Sequence, residues 1–395
     1  MSSLEGIRVL EFGHVIAGPF AASLLGDHGA EVIKIERPNQ GDSLRKMGPQ
    51  NARGLWFEVS ARNKKSVEVD LGSPEGAAFA RELVESADVV IENYRPGVME
   101  QFGLGWDDVH AINPRAVMLR ISGFGQTGPY SARPGFGKIS EAFSGATNLT
   151  GYTDGPPVHP GYSHGDLVTG VFGAFGVMLA LHERNTSGLG QMIDLPLYEG
   201  LFRMIDWQVP FLDVLGIDST RAGASFPFAG GFITEILPTI DGKFVVVSAA
   251  TGKHVGNVVD FLQEGGHLEV KGEDDIPVSV IKDALGAWLG TQNSDEAVAS
   301  LKSVGVIAEK VSKPSDITKD PHIAARHNLV PVESEEYGKF TVPAPVPRLS
   351  RTPGQVRSLG PKLGAHNQLL NAPATKNNVS QGSSPALSVA SVEAG

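Results

Sequence analysis

Along the first 125 residues, short apolar runs alternate with stretches whose apolar positions recur every three or four residues. Residues 7–13 (IRVLEFG), 31–36 (EVIKIE), 66–71 (SVEVDL), 88–93 (DVVIEN) and 116–122 (AVMLRIS) read as strands. Residues 18–29 and 74–87 read as helices, the second opened by Ser73 as N-cap and Pro74 in the first turn. This alternation predicts βαβ units and a mainly parallel sheet. A long apolar stretch, Leu167 to Leu181, follows Asp166. At 15 residues it falls short of the about 20 that span a bilayer, so it predicts a core helix running to about Arg184. Residues 191–197 read as another strand, with a helix from near Tyr198.

The pattern changes after residue 220. Residues 232–249 predict a hairpin with Asp241-Gly242 in its turn. Helical periodicity follows at 252–264, 278–290 and 294–304, so 225–325 reads as a smaller α+β domain. Residues 326–366 are rich in Pro and short strand-like runs. From Asn371 the chain is small and polar, and 371–395 is expected to be a mobile tail.

At 395 residues the chain is too long for one ordinary core and predicts two domains. Its formal net charge of −11 argues against broad nucleic-acid binding. A local cluster of cations could still hold an anionic ligand. With no cysteine, a disulfide, a thiolate nucleophile and a Cys-based zinc site are all excluded. The first residues, MSSLEGIRVLEF, carry no charged lead into an apolar core, so no secretory leader is read. A cytoplasmic protein without a membrane partner is expected.

The candidate chemistry centres on GYSHGD (161–166). Its first five residues fit G-x-S-x-G, the strand-turn-helix elbow that presents a nucleophilic serine. The preceding TDGPPVHP carries three prolines, which remove ladder donors and argue against the required strand. Asp166, just before the apolar helix, reads as an N-cap. Helix N-terminal N–H groups would favour its anion, and carboxylates serve as acyl-forming nucleophiles. His159 and His164 sit in a Pro- and Gly-rich loop, and no metal site is expected there. Gly13 and Gly18 bracket HVIA without a G-x-G-x-x-G, which disfavours a nicotinamide cofactor. Arg37 and Arg95 directly follow predicted strands, where an open α/β sheet binds ligands, and either could take a phosphate.

These residues resemble the class III CoA-transferases, which include formyl-CoA transferase and carnitine CoA-transferase. LEGIRVLEFGHVIAGP, GAEVIKIERP, NKKSVEVDL, ADVVIENYRPG, GFGQTGPY, the GD before the long helix, DPHIAAR and SRTPGQV stand in family order, to about residue 366. The resemblance implies that Asp166 is the nucleophile, passing through a mixed anhydride and an aspartyl-CoA thioester. It implies CoA contacts at Val15, Arg37, Val69, Asp70, Leu71, Gly72, Asn93, Tyr94, Arg95 and Gln101. Gly72 stands where formyl-CoA transferase has a lysine, and Gln101 where it has an arginine. Gly230 and Gly231, in FAGGF, resemble a glycine loop that closes over intermediates. Ile16 and Met47 replace a glutamine and a tryptophan of the oxalate/formate enzyme, which argues against oxalate as acceptor.

The racemase branch of the same fold uses a histidine where this chain has Phe136. The family fold implies a Rossmann-like large domain built from both chain ends, 1–220 and 326–370, around the smaller domain. Two chains would interlock as rings, with a heteromer as the alternative. No permanently bound cofactor is implied; CoA thioesters, succinyl-CoA foremost, and a free carboxylic acid are the expected substrates. Three readings stay beside the transferase: an acyl-CoA racemase or isomerase, a serine acyl-CoA hydrolase using Ser163, and an inactive partner subunit.

Overall fold

The computed structural model describes residues 2–225, 232–269 and 276–371. Six parallel strands form the main sheet: β1 (Arg8–Glu11), β2 (Glu31–Glu36), β3 (Lys64–Glu68), β4 (Val89–Glu92), β5 (Val117–Ser122) and β6 (Met192–Pro196). Their order across the sheet is β3-β2-β1-β4-β5-β6. The doubly wound order 3-2-1-4-5-6 reverses direction between β1 and β4.

Both faces of this sheet are covered, which is why its strands read as unbroken apolar runs. Successive side chains point to opposite faces. Val9, Val89, Leu119 and Ile121 therefore pack into one core with helices α1 (Ala17–Asp27) and α7 (His164–Ser187). Leu10, Ile33, Val90 and Met118 enter the other core, with α3 (Pro74–Glu85) and α5 (Trp106–Ile112). Shorter helices lie between these: α2 (Leu55–Ser60), α4 (Val98–Gln101) and α6 (Gly137–Phe143). The Ser73 cap on α3 forms as expected, accepting from the Gly76 N–H at 3.0 Å.

Two elements depart from the sequence reading. Strand β3 starts at Lys64 and ends at Glu68, because the chain turns at Asp70, whose carbonyl accepts from the Ser73 N–H. Its first lysine is wholly buried against Glu11, a position that apolar patterning cannot reveal. Helix α7 is 24 residues long and ends at Gly188, which takes φ 80°. It is long and apolar enough to cross a membrane by length and composition. Its inner face (Gly170, Gly173, Ala174, Val177) packs on the sheet and α1. Its outer face still exposes Val171, Phe175, Met178 and Leu179.

A second, antiparallel sheet joins β7 (Ile233–Pro238), β8 (Phe244–Ala249) and β9 (Ile307–Lys310). The expected hairpin turns through Asp241 and Gly242, with Gly242 at φ 70°. Helices Gly252–Glu264, Val278–Leu289 and Ser294–Ser303 share a separate core with it. The hairpin β10 (Leu329–Ser334) and β11 (Gly338–Pro343) follows. The chain then runs back to the main sheet. The Gln355 N–H donates to the Asp27 carbonyl, the His366 N–H to the Ser66 carbonyl, and Asn367 accepts from the Glu68 N–H. Residues 372–395 of the expected tail lie outside the described residues.

Leu119 is fully buried in β5 and touches the α7 backbone at Gly173. Leu119→Ala should cost about 2–5 kcal/mol of stability, read as a lowered thermal or urea midpoint. A midpoint within error of the native one would contradict this packing.

Candidate active site

The reversal between β1 and β4 leaves a crevice beyond their carboxyl ends, where open α/β sheets bind ligands. The β1 loop and the β4 loop are tied together across it. Asn93 accepts from the His14 N–H at 2.7 Å and donates to the His14 carbonyl at 2.8 Å. The Tyr94 hydroxyl meets His14 Nε2 at 2.8 Å. A cavity of about 210 Å³ opens here, lined by Val15, Asn93, Tyr94, Arg95, Phe136 and Asp166 among others. A larger one, about 700 Å³, shares Val15 and Ile16 with it and is lined by Trp56, Lys138, Tyr162 and Ser163.

Asp166 is the third residue of α7, so the N-cap reading is corrected. Ser163 occupies the cap position and makes no side-chain cap bond. The orphan N–H of Gly165 is taken instead by Glu141 of α6, at 3.0 Å. That carboxylate is buried and also accepts from Lys138 and His159. Asp166 itself makes no hydrogen bond through its carboxylate among the described residues. Burial first, and the neighbouring Glu141 charge second, push its pKa up to about 6 against the pull of Lys138. The cap reading implied a carboxyl favoured as the anion; the shift here runs the other way. A Cβ on Gly137 would collide with Asp166 Oδ2, so a larger residue at the start of α6 would displace that carboxylate.

The other sequence-selected residues fall along one rim. Val69–Gly72 follow β3, Arg37 follows β2, Val15 follows β1, and Asn93–Arg95 follow β4. Val15, Asn93, Tyr94 and Arg95 meet Asp166 in the smaller cavity. Arg37, Asp70, Gly72 and Gln101 are exposed beside it, Val69 is buried, and Leu71 packs on the adjacent core; none of these lines that cavity. Gly230 and Gly231 lie outside the described residues. No strand precedes Ser163 among residues 151–162. No imidazole is hydrogen-bonded to its hydroxyl among the described residues, as a serine elbow would need. Met47 is exposed.

Sequence reasoning missed Glu141, Lys138 and Asp42. Glu141 and Lys138 are three apart on a seven-residue helix too short to show periodicity. Asp42 precedes the 3₁₀ turn Ser43–Lys46, and an Asp-Ser start to that turn was the available signal.

A parallel sheet of this order, with a carboxylate at its rim that makes no hydrogen bond among the described residues, defines an α/β fold of the kind that binds ligands at its switch point. The chain belongs to CoA-transferase family III, whose model matches residues 4–367, and it is an enzyme of that class. It is 39% identical over 375 residues to succinyl-CoA–D-citramalate CoA-transferase of Chloroflexus aurantiacus, covering 92% of each chain. It is 41% identical over 379 residues to the beta subunit of succinyl-CoA–L-malate CoA-transferase from the same organism, again covering 92% of each. Among solved structures, a CAIB/BAIF family protein from Brucella suis matches with a TM-score of 0.82 and 29% identity, over 95% of this chain and 100% of that one.

The raised Asp166 pKa has a consequence for stability. A carboxyl whose folded pKa lies above its ordinary 3.8 contributes stability at low pH that is lost as pH rises through about 6. Asp166→Asn should therefore stabilise the protein at pH 7.5 by roughly 1–3 kcal/mol relative to its effect at pH 4. Thermal midpoints at the two pH values check this; an equal effect at both would contradict it.

Proposed function

We propose that this enzyme moves CoA from succinyl-CoA to a second carboxylic acid through covalent catalysis by Asp166. The observation that carries the reading is a half-buried carboxylate that makes no hydrogen bond among the described residues, facing the switch-point cavity beside Asn93, Tyr94 and Arg95. Partial burial thins the solvent around such a group and leaves its lone pairs available for attack.

Ionised Asp166 attacks the donor thioester carbonyl. The C–S bond breaks, and CoA leaves as thiolate with the bonding pair. The thiolate then attacks the aspartyl carbonyl of the mixed anhydride and releases succinate. The incoming acid's carboxylate attacks the resulting aspartyl-CoA thioester and again releases the thiolate. Its attack on the new acyl group gives the product thioester and restores Asp166. No redox change or water is required, so position and water exclusion carry the catalysis. A permanently bound cofactor has no step to perform.

The names of the Chloroflexus relatives support succinyl-CoA as donor and a hydroxylated dicarboxylic acid as acceptor. Arg37 and Arg95, exposed on the rim, suit the phosphates of CoA. The exposed apolar face of α7 supports an assembly of two chains, proposed as the interlocked homodimer. A heteromer is the other arrangement, since the malate enzyme is described by alpha and beta subunits. A cytoplasmic location completes the proposal.

Two other reactions have less support. Phe136 lines the cavity where a racemase would place histidine, and the His14 ring is bonded to Tyr94. No base is hydrogen-bonded to the Ser163 hydroxyl among the described residues.

The test is turnover of succinyl-CoA with and without malate, citramalate, glutarate or mesaconate, run in deuterated buffer. New thioester should form only with an acceptor. Asp166→Ala should lose roughly a thousandfold or more, and Ser163→Ala should stay within a few-fold. Steady CoA release without acceptor would indicate a hydrolase. Deuterium at the α-carbon without transfer would indicate a racemase.

A further inference from the structure

Val15 lines both cavities, yet its backbone sits at φ 64°. A β-branched residue rarely adopts this left-handed conformation, which crowds its Cβ against the backbone. Such a state persists only where the surroundings over-determine it. Here three side chains grip three successive residues. Lys34 donates to the Gly13 carbonyl at 2.8 Å, Asn93 holds both backbone groups of His14, and Asp42 accepts from the Val15 N–H at 3.1 and 3.2 Å.

Asp42 is itself fixed from below. It is 1% exposed and sits 2.9 Å from the ammonium of Lys34, which is also buried. Lys34 spends its remaining donors on Glu11, at 2.6 Å, and on Gly13. Glu11 in turn meets Lys64 at 2.6 Å. Two buried carboxylates thus balance two buried ammonium groups directly beneath the loop. The two Asp42 oxygens serve the Val15 N–H, the Leu44 N–H and the Lys34 ammonium together. An asparagine would offer one oxygen to the same donors.

We propose that Asp42, anchored on Lys34, is a positioning residue for the transfer reaction: it holds Val15 in its strained conformation and so sets the cavity wall that faces Asp166. This rests on the proposed function for its activity readout. A purely structural Asp42 would act by neutralising Lys34 or by capping the turn at Leu44. The two roles separate through Val15, because glycine adopts this backbone conformation without strain.

The experiment uses the full chain and degenerate exchange of isotopically labelled succinate into succinyl-CoA, in four forms: native, Asp42→Asn, Val15→Gly, and the double variant. Asp42→Asn should slow exchange at saturating substrates at least tenfold. Adding Val15→Gly should restore at least fivefold of that loss. A folded double variant no faster than Asp42→Asn would overturn the proposal, as would an exchange rate unchanged by Asp42→Asn alone. If Asp42→Asn does not fold, recovery of folding by Val15→Gly supports the proposal, and failure to recover contradicts it. Absence of exchange in the native protein would count against succinyl-CoA as donor. The thermal midpoints, which need no substrate, would then decide: Asp42→Asn should lower the midpoint less in the Val15→Gly background, and an equal loss in both backgrounds would overturn the proposal.

Discussion

The site depends on how closely α1 and α7 approach. Gly170 lies where a side chain would strike Phe20 and the Ala17 carbonyl, and Gly173 where one would strike Leu119. With no Cβ at either position, α7 lies against α1 and the sheet together. Its first turn is thereby carried to the switch point between β1 and β4. Gly137, on the other side, leaves room for the Asp166 carboxylate itself. A larger residue at any of the three would push the carboxylate away from the rim on which Val15 and Asn93–Arg95 stand.

Charge is arranged in two contrasting ways around this point. Beneath the β1 loop, Glu11, Asp42, Lys34 and Lys64 are buried but mutually paired. Burial works against the Lys34 charge, yet Glu11, Asp42 and Glu36 outweigh it and raise its pKa. Asp42 is likewise opposed by burial but held down to about 2, chiefly by Lys34. Such pairing has modest net value for stability, because desolvation offsets attraction, but it fixes geometry. At the head of α7 the arrangement is reversed. Glu141 takes the helix N–H and the Lys138 ammonium, while Asp166 is left half-buried beside a like charge. One carboxylate satisfies the helix end, and the other keeps a raised pKa.

Much of the parallel sheet was legible because strands buried on both faces leave plain apolar runs, as at residues 31–36. Helices with local signals were legible too: Ser73-Pro74 announced α3. What stayed hidden depends on contacts distant in sequence. The start of β3 at Lys64 requires Glu11 to neutralise it. The cap of α7 comes from Glu141, 24 residues before Gly165, so local pattern assigned it to Asp166 instead. Nothing in HVIAGP announces a left-handed valine, since Asp42 and Lys34 impose that conformation from other strands and loops. The role proposed for Asp166 came from the resemblance; local pattern alone favoured a structural cap.

The central claim is that Asp166 becomes covalently attached to CoA. The most direct measurement is intact-protein and peptide mass spectrometry after mixing with succinyl-CoA alone, on the native protein and on Asp166→Ala and Ser163→Ala. The account predicts a CoA adduct on the peptide containing residue 166, kept in Ser163→Ala and lost in Asp166→Ala. A succinyl group on Ser163, or turnover with no adduct on Asp166, would contradict it.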